Sequence, residues 1–296
     1  MWEMDGVVIL DKPAGISSHD AVQRLRKLCG IKRIGHLGTL DPLGTGVLPL
    51  VVGRATRLSQ FFLEHDRTYE ATIRFGFSTD TYDSDGQPSS EPREITLNRE
   101  QLEQAFLEFR GKILQTPPPV SAKKIDGVPA YKLARMNKEV QLEPVEIEVF
   151  DFVLLGLEGP RARVKVRCSS GTYMRSLAHD LGERLGVGAH VESLRRTTMG
   201  EFSIDMARTF EQLEQLKQEG RLEEAFIPPA DLLPEIPAQR VDATTAAKIA
   251  HGRDFRVSPF GTPVAARHVK AIDPQGRLVA IGEARLPLLF HPIVVL

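Results

Sequence analysis

Gly35–Leu50 reads GHLGTLDPLGTGVLPL. Its first twelve residues hold four glycines, two threonines, one proline and a single carboxylate, Asp41, and an apolar run follows at once. Three uses compete for such a stretch: a phosphate cradle, a turn without chemistry, and a loop that presents Asp41 to a ligand. A phosphate loop of the GxxxxGK[ST] type needs a lysine after its last glycine, whereas Thr45 and Val47 follow Gly44 and Gly46. The GxGxxG dinucleotide fingerprint is absent, and no cysteine or histidine cluster surrounds His36 to make a zinc site. Pro42 steers Asp41 away from helical backbone, while Gly38, Gly44 and Gly46 permit a bulky partner to approach the main chain. A loop stiff at one residue and open around it suits the display of a carboxylate. A structural Asp-Pro turn remains the alternative.

Outward from this loop the composition is that of an ordinary soluble chain. Its 296 residues fall between one large domain and two ordinary ones, and 42% are hydrophobic, enough for a sizeable core. With 38 Lys and Arg against 39 Asp and Glu, the formal net charge is −1. A polyanionic partner would therefore be met by local basic patches rather than by bulk charge. Cys29 and Cys168 are too few for a disulfide framework and stand in no CxxC pair, the usage of a reducing compartment. The start, MWEMDGVVIL, is acidic and lacks a basic leader region. The longest apolar stretches, VLPLVVG and LPLLFHPIVVL, are short and interrupted by proline, so no membrane span is expected. These features together predict a cytoplasmic protein with no membrane partner.

Helical and strand-like segments alternate without a βαβ rhythm. SSHDAVQRLRKLCG predicts a helix capped by Ser17 or Ser18, with Val22, Leu25 and Leu28 on one face and Gly30 as its stop. NREQLEQAFLEFRG predicts a second, with an Asn98–Gln101 capping box and Gly111 as its end. MRSLAHDLGERLG predicts a third, carrying Leu177, Leu181 and Leu185 and closing at Gly186. Strands are expected over 69–76, 145–155 and 161–168. In the last, RARVKVRC, a strand aims Arg161, Arg163, Lys165 and Arg167 to one face and Ala162, Val164, Val166 and Cys168 to the other. That cationic face is either a solvated exterior or an anion-facing ridge. Polar or proline-rich breaks lie at 84–94, 115–131 and 226–239, the last of them a linker in pattern. Beyond it, short strands suggest a small β-rich C-terminal module.

Five blocks in order carry a resemblance. GHLGTLDPLGTGVLP resembles the signature of the TruB family of pseudouridine synthases, and LDKPAGISSHDAV (10–22) resembles that family's KPxGxSS motif. RTYEATIRFGFSTDTYDSDG (67–86) is similar to its tyrosine motif, QTPPPVSAKKIDGVPAYKLAR (115–135) to its RNA-binding insertion, and CSSGTYMRSLAHDLGERLGVGAHVESLRR (168–196) to its arginine motif. The matches cover most of residues 5–205. Leu37 and Gly44 depart from the family's usual small residue and alanine, and neither change removes a functional group. The C-terminal part matches less well.

The resemblance implies an α+β pseudouridine-synthase fold: a mixed, mostly antiparallel sheet with flanking helices and a small PUA-like C-terminal domain. It implies a catalytic domain over 1–232, with an RNA-binding insertion at about 115–135, and a C-terminal domain over 236–296. The implied reaction isomerises uridine 55 in the TΨC loop of tRNA. The N1–C1′ bond breaks, the flipped uracil turns, and C5 bonds to C1′, with no redox change and hence no cofactor or metal. Asp41 matches the essential aspartate, as nucleophile or as electrostatic and base catalyst. Tyr69 would stack on the uracil, Arg175 would pair with Asp41, Tyr173 and Leu194 would line the base pocket, His36 would fill the space the extruded base leaves, and Lys12 would support the loop. Flipping a base costs a few kcal/mol. Phosphate contacts from Lys123, Lys124, Arg161, Arg163, Lys165, Arg167, Arg195 and Arg196 are expected to offset that cost, with affinity falling as salt rises. The partner is the tRNA T stem-loop, and the protein is expected to act as a monomer.

Overall fold

The computed structural model of the chain describes residues 4–89, 91–120, 124–125, 128–129, 142–258 and 265–296. Five α-helices are described: α1 Ser18–Cys29, α2 Arg99–Glu108, α3 Met174–Arg184, α4 Phe210–Gln218 and α5 Ala243–Ala250. None of the described helices is long and apolar enough to cross a membrane. Seventeen strands accompany them. β1 is Gly6–Lys12, β2 Ile34–His36, β3 Thr45–Val52, β4 Arg67–Phe75 and β5 Gly111–Gln115. Lys124–Ile125 and Val128–Pro129 form the short hairpin β6–β7. Then come β8 Val145–Glu158, β9 Arg161–Cys168, β10 Ala189–Met199, β11 Phe202–Ser203 and β12 Phe226–Ile227. The last five are β13 Ala238–Arg240, β14 Phe255–Arg256, β15 His268–Ile272, β16 Leu278–Leu286 and β17 Leu289–Val295.

Ten strands make one sheet in the order β12-β1-β3-β10-β4-β9-β8-β5, with β2 beside β3 and β11 beside β10. Every pairing in it is antiparallel except β10 with β3. A second sheet of five strands runs β13-β15-β16-β17-β14. The α+β class with a mixed, mostly antiparallel sheet is therefore observed.

The sheet's two halves are covered differently, and the strand sequences show why. β1 and β3 are nearly continuous apolar runs because both their faces are buried. Val8, Leu10, Leu48, Leu50 and Val52 pack with Ala21, Val22 and Leu25 of α1 and with Phe210 and Leu213 of α4. Val7, Ile9, Val47 and Val51 pack on the other side with Leu58 and Phe62 of the 3₁₀ segment Gly53–Phe62. Ile272, Leu278, Ile281 and Val294 of the five-stranded sheet join that same core. β4, β8 and β9 instead alternate, since only one of their faces is covered. Ala71, Ile73, Phe152, Val164 and Val166 pack with Leu102 and Phe106 of α2 and Leu177 and Leu181 of α3. β10 bridges these regions, giving Leu194 to the α2–α3 core and Met199 to the core shared with the second sheet. The Asp41 loop lies over this seam, with Leu37 in one core and Leu40 in the other.

The predicted helices form with small changes at their ends. Ser17 caps α1 in a full capping box with Asp20, and Gly30 closes it in the left-handed region at φ 71°. Asn98 accepts from Gln101 N at the start of α2, but that helix stops at Glu108, and Gly111 opens β5 rather than ending the helix. β4 begins two residues before the expected start at Tyr69, and β8 runs three beyond the expected end at Leu155. Flanking residues gain ladder bonds from neighbouring strands that a local pattern does not reveal.

Candidate active site

The loop from Leu37 to Gly44 joins β2 to β3 and is tied down on both sides of Asp41. Ser18, in the first turn of α1, accepts from Leu40 N at 2.8 Å and donates to Leu40 O at 3.0 Å. Beyond Asp41, Pro42 O accepts from Gly15 N at 2.9 Å and from Lys12 Nζ at 3.3 Å. Lys12 is fully buried and also donates to Pro13 O and Ile16 O, at 2.8 and 2.7 Å. Burial, only partly opposed by the nearby Asp41 carboxylate, pulls its pKa down to about 8. Gly44 N donates to Asp41 O at 3.0 Å, closing the turn. The KPxGxSS stretch and the Asp41 loop are thus one construction, and Lys12 supports it.

Arg175 lies in the first turn of α3 and is buried. Its Nε donates to Asp41 Oδ2 at 2.8 Å, Nη1 to Thr81 O at 3.1 Å, and Nη2 to Val120 O at 3.0 Å. A second carboxylate, Asp83 Oδ2, lies 3.5 Å from Nη1. Asp83 itself accepts from Thr81 Oγ1 and from Asp85 N, and burial raises its pKa despite those bonds. Between Thr81 and Asp83, Tyr82 takes the left-handed conformation at φ 63°, uncommon for a bulky residue, and its ring stacks on His179 at 3.8 Å. The strained turn aims one carbonyl and one carboxylate at the guanidinium from the side opposite Asp41.

Tyr69 is the third residue of β4 and is almost wholly buried, which pushes its phenol pKa up. It shares a cavity of about 180 Å³ with Thr39, Leu40, Asp41, Arg67, Leu194 and the segment Gly171–Met174. Tyr173, the residue before α3, is held by Gln115, whose side-chain amide accepts from Tyr173 N at 2.8 Å and donates to Tyr173 O at 3.0 Å. The structure therefore brings Asp41, Tyr69, Arg175, Tyr173 and Leu194 together. His36, at the end of β2, does not line the cavity. It is largely buried with Nδ1 lacking a hydrogen-bond partner among the described residues, and burial, with Arg196 nearby, lowers its pKa.

The expected phosphate cations fare differently. Arg196 is fully buried and cannot meet a phosphate: Nε donates to Val47 O at 2.8 Å, Nη1 to Thr39 O at 3.3 Å and Nη2 to Gly38 O at 3.1 Å. It is a strut beneath the Asp41 loop, which corrects its expected role as a backbone-binding cation. Its neighbour Arg195 points to the other face and forms a bidentate pair with Asp11 at 2.8 and 3.0 Å. On β9 the predicted alternation is observed, with Arg163, Lys165 and Arg167 exposed and Ala162, Val164, Val166 and Cys168 buried. Register decides the face: Tyr69 is opposite Val166, whereas Glu70 and Thr72 are opposite Lys165 and Arg163. The cationic row thus lies on the sheet face away from the cavity. Arg161 is moreover paired with Glu192 at 2.7 Å, and Arg167 with Asp151 and Asp66 at 3.2 and 3.4 Å. Lys123 lies outside the described residues; Lys124 begins β6, and only its backbone is described.

As residues of the site, Ser18, Arg67, Asp83 and Gln115 escaped sequence reasoning. Two left a signal: Arg67 is two residues before Tyr69 on one strand, hence on the same face, and Asp83 stands within the block that carries Tyr69. Ser18 and Gln115 act through contacts 22 and 58 residues away in sequence, which no local pattern reports.

Known proteins resemble this chain along most of its length. A family model described as TruB family pseudouridylate synthase (N terminal domain) matches residues 26–174, and one described as tRNA pseudouridylate synthase B C-terminal domain matches residues 175–233. A protein named tRNA pseudouridine synthase B from Solibacter usitatus (strain Ellin6076) is 55% identical over 293 residues, covering 99% of this chain and 100% of the relative. One of the same name from Stutzerimonas stutzeri (strain A1501) is 43% identical over 286 residues, 95% of this chain and 92% of the relative. Among solved structures, an H/ACA RNP bound to a substrate RNA containing 2′-deoxyuridine superimposes with a TM-score of 0.74 at 25% identity, covering 99% of this chain and 85% of that one. A Cbf5–Nop10–Gar1 complex superimposes with a TM-score of 0.70 at 26% identity, covering 97% and 80%. With a paired aspartate and arginine over a buried tyrosine, and with these matches along nearly its whole length, the chain belongs to the TruB family of pseudouridylate synthases.

Proposed function

We propose that this chain converts uridine 55 in the T loop of tRNA to pseudouridine, acting on a base flipped into the cavity between Asp41 and Tyr69. The observation that carries the proposal is the Arg175–Asp41 pair at 2.8 Å, whose carboxylate lines a cavity together with the buried Tyr69. A glycosidase needs one carboxyl group to protonate a poor leaving group and another to activate water. Uracil leaves more readily and must be kept, so one carboxylate suffices. Arg175 orients Asp41 by a charge-assisted bond and is itself positioned by Asp83 and two carbonyls. Asp41 meets the positive charge that develops at C1′, either as a nucleophile or electrostatically. Leu40, Met174 and Leu194 keep bulk water from C1′ while the ring turns. C5 then bonds to C1′, its proton leaves, and N1 gains one.

We also propose that the protein acts as a monomer. A tRNA substrate supports a cytoplasmic location. We assign catalysis to residues 1–232 and an auxiliary, PUA-like role to residues 236–296, which share a core with the first part through Ile236, Ile272, Ile281 and Val294. The test is incubation with unmodified tRNA and mapping of pseudouridine by position. Product at the T-loop uridine is expected, with Asp41→Asn inactive yet binding tRNA nearly as well as the parent. Product elsewhere only, or turnover by Asp41→Asn, refutes the proposal.

A further inference from the structure

Arg67 opens β4 and shares a strand face with Tyr69 two residues on. It lines the same cavity as Asp41 and is 9% exposed. Its guanidinium lies against the Asp41 loop: a Cβ built on Gly38 would stand 3.3 Å from Nη2. Among the described residues it has a single hydrogen bond, Nη1 to His65 O at 3.2 Å, and no carboxylate within ion-pair reach. Burial lowers its pKa from the usual arginine range. A shielded cation without a counter-charge is costly to maintain, and most of its five donors are unused.

The cavity itself suggests where the missing charge comes from. Among the described residues, Asp41 and Arg67 are the two charged side chains lining it, while Arg175 bonds Asp41 from outside the lining. Heterolysis of N1–C1′ creates two charges: a positive centre at C1′, and a uracil anion whose electron pair spreads from N1 onto O2 and O4. One charged group is available for each. Depth fixes the pairing. The Asp41 side chain is 33% exposed, whereas Tyr69 and Arg67 are only 6% and 9% exposed. C1′ has to lie beside Asp41, so the ribose and its phosphates remain at the mouth and the ring extends inward. The groups facing Arg67 are then ring oxygens.

We propose that Arg67 is a catalytic residue that donates hydrogen bonds to a carbonyl oxygen of the flipped uracil and stabilises the ring anion released when N1–C1′ breaks. The proposal rests on the isomerase function above. It gives the detached ring an electrostatic anchor on one oxygen during its turn, a contact stronger in the charged intermediate than in the bound uridine.

The test compares Arg67→Met and Arg67→Lys with the parent in single-turnover pseudouridine formation at saturating tRNA, alongside tRNA affinity and thermal melting. Arg67→Met should lose on the order of 10²–10³-fold in rate, the scale of a lost oxyanion donor, with affinity unchanged; Arg67→Lys should recover at least about tenfold of that loss. The Arg67→Met defect in bond cleavage should shrink when the target carries 5-fluorouridine, whose ring anion needs less stabilisation. A parental rate for Arg67→Met overturns the proposal. So does a defect confined to affinity, which would assign Arg67 to a phosphate, or one unchanged by 5-fluorination. Equal loss in both variants with lowered melting would make Arg67 a packing residue. If the parent itself forms no pseudouridine, the function fails instead.

Discussion

Ser18→Ala isolates what holds Asp41 in place. The Ser18 hydroxyl is buried and serves both polar groups of Leu40, accepting from N and donating to O. Alanine removes one oxygen atom and leaves a buried N–H and a buried C=O without partners. At about 1–3 kcal/mol for each stranded group, the loss should come to about 2–6 kcal/mol, unless the loop moves to recover solvent. Leu40 is anchored in the α2–α3 core, so movement falls on the segment beyond it, which is Asp41. A displacement near 1 Å of a catalytic group costs roughly 10²-fold in rate. Ser17→Ala is the internal control. It removes the capping box of the same helix, worth about 1 kcal/mol, but Ser17 is not bonded to the loop. Denaturant unfolding and single-turnover pseudouridine formation at saturating tRNA read the two effects separately. Both variants should be destabilised, and only Ser18→Ala should be slow. A Ser18→Ala protein that unfolds early yet turns over at the parental rate would show that the Leu40 clamp does not position Asp41. Equal slowing by Ser17→Ala would move the effect to the start of α1.

Three further outcomes are expected. Lys12, at about 8 in the folded protein against 10.5 unfolded, loses its proton first in the native state. The folding penalty for its buried charge, full below about 8, therefore relaxes as pH rises from there to 10.5. The neutral amine has two N–H groups for three carbonyls, so the single-turnover rate should fall with an apparent pKa near 8, a limb absent in Lys12→Met; a flat parental profile refutes this. Asp83→Asn keeps the shape of the turn but removes a charge 3.5 Å from Arg175, so stability should drop by about 1.5–3 kcal/mol and rate at least tenfold, with tRNA affinity unchanged in a filter-binding assay. Changing Arg163 and Lys165 together to alanine should leave tRNA affinity and its salt dependence unaltered, because both face away from the cavity; were they phosphate contacts, the salt slope would fall by about 1 for each.

The arginines of β9 and β10 show how far sequence could reach. Period-two alternation correctly grouped Arg161, Arg163, Lys165 and Arg167 on one face, since that is a property of the strand alone. Which face meets the substrate is a property of pairing, and Tyr69 opposite Val166 answers it through residues almost a hundred positions apart. Arg195 and Arg196 sharpen the point. As adjacent residues they must diverge, and Leu194 in the core already implies that Arg196 turns inward with it. Extending that parity along β10 fails, because bulges lie between Val191 and Ser193 and between Arg196 and Thr198. The Asp41 loop divides in the same way. Its glycines and Pro42 left Asp41 either a displayed carboxylate or a turn residue, and the motif blocks decided for the first and added Tyr69 and Arg175. The restraints that make the display accurate come from α1, β1 and β10, converging through Ser18, Lys12 and Arg196. A reactive group can be marked by its neighbours in sequence. Its position is set by long-range bonds to main-chain carbonyls and amides, which any residue can supply, and such bonds leave little trace in the residue pattern.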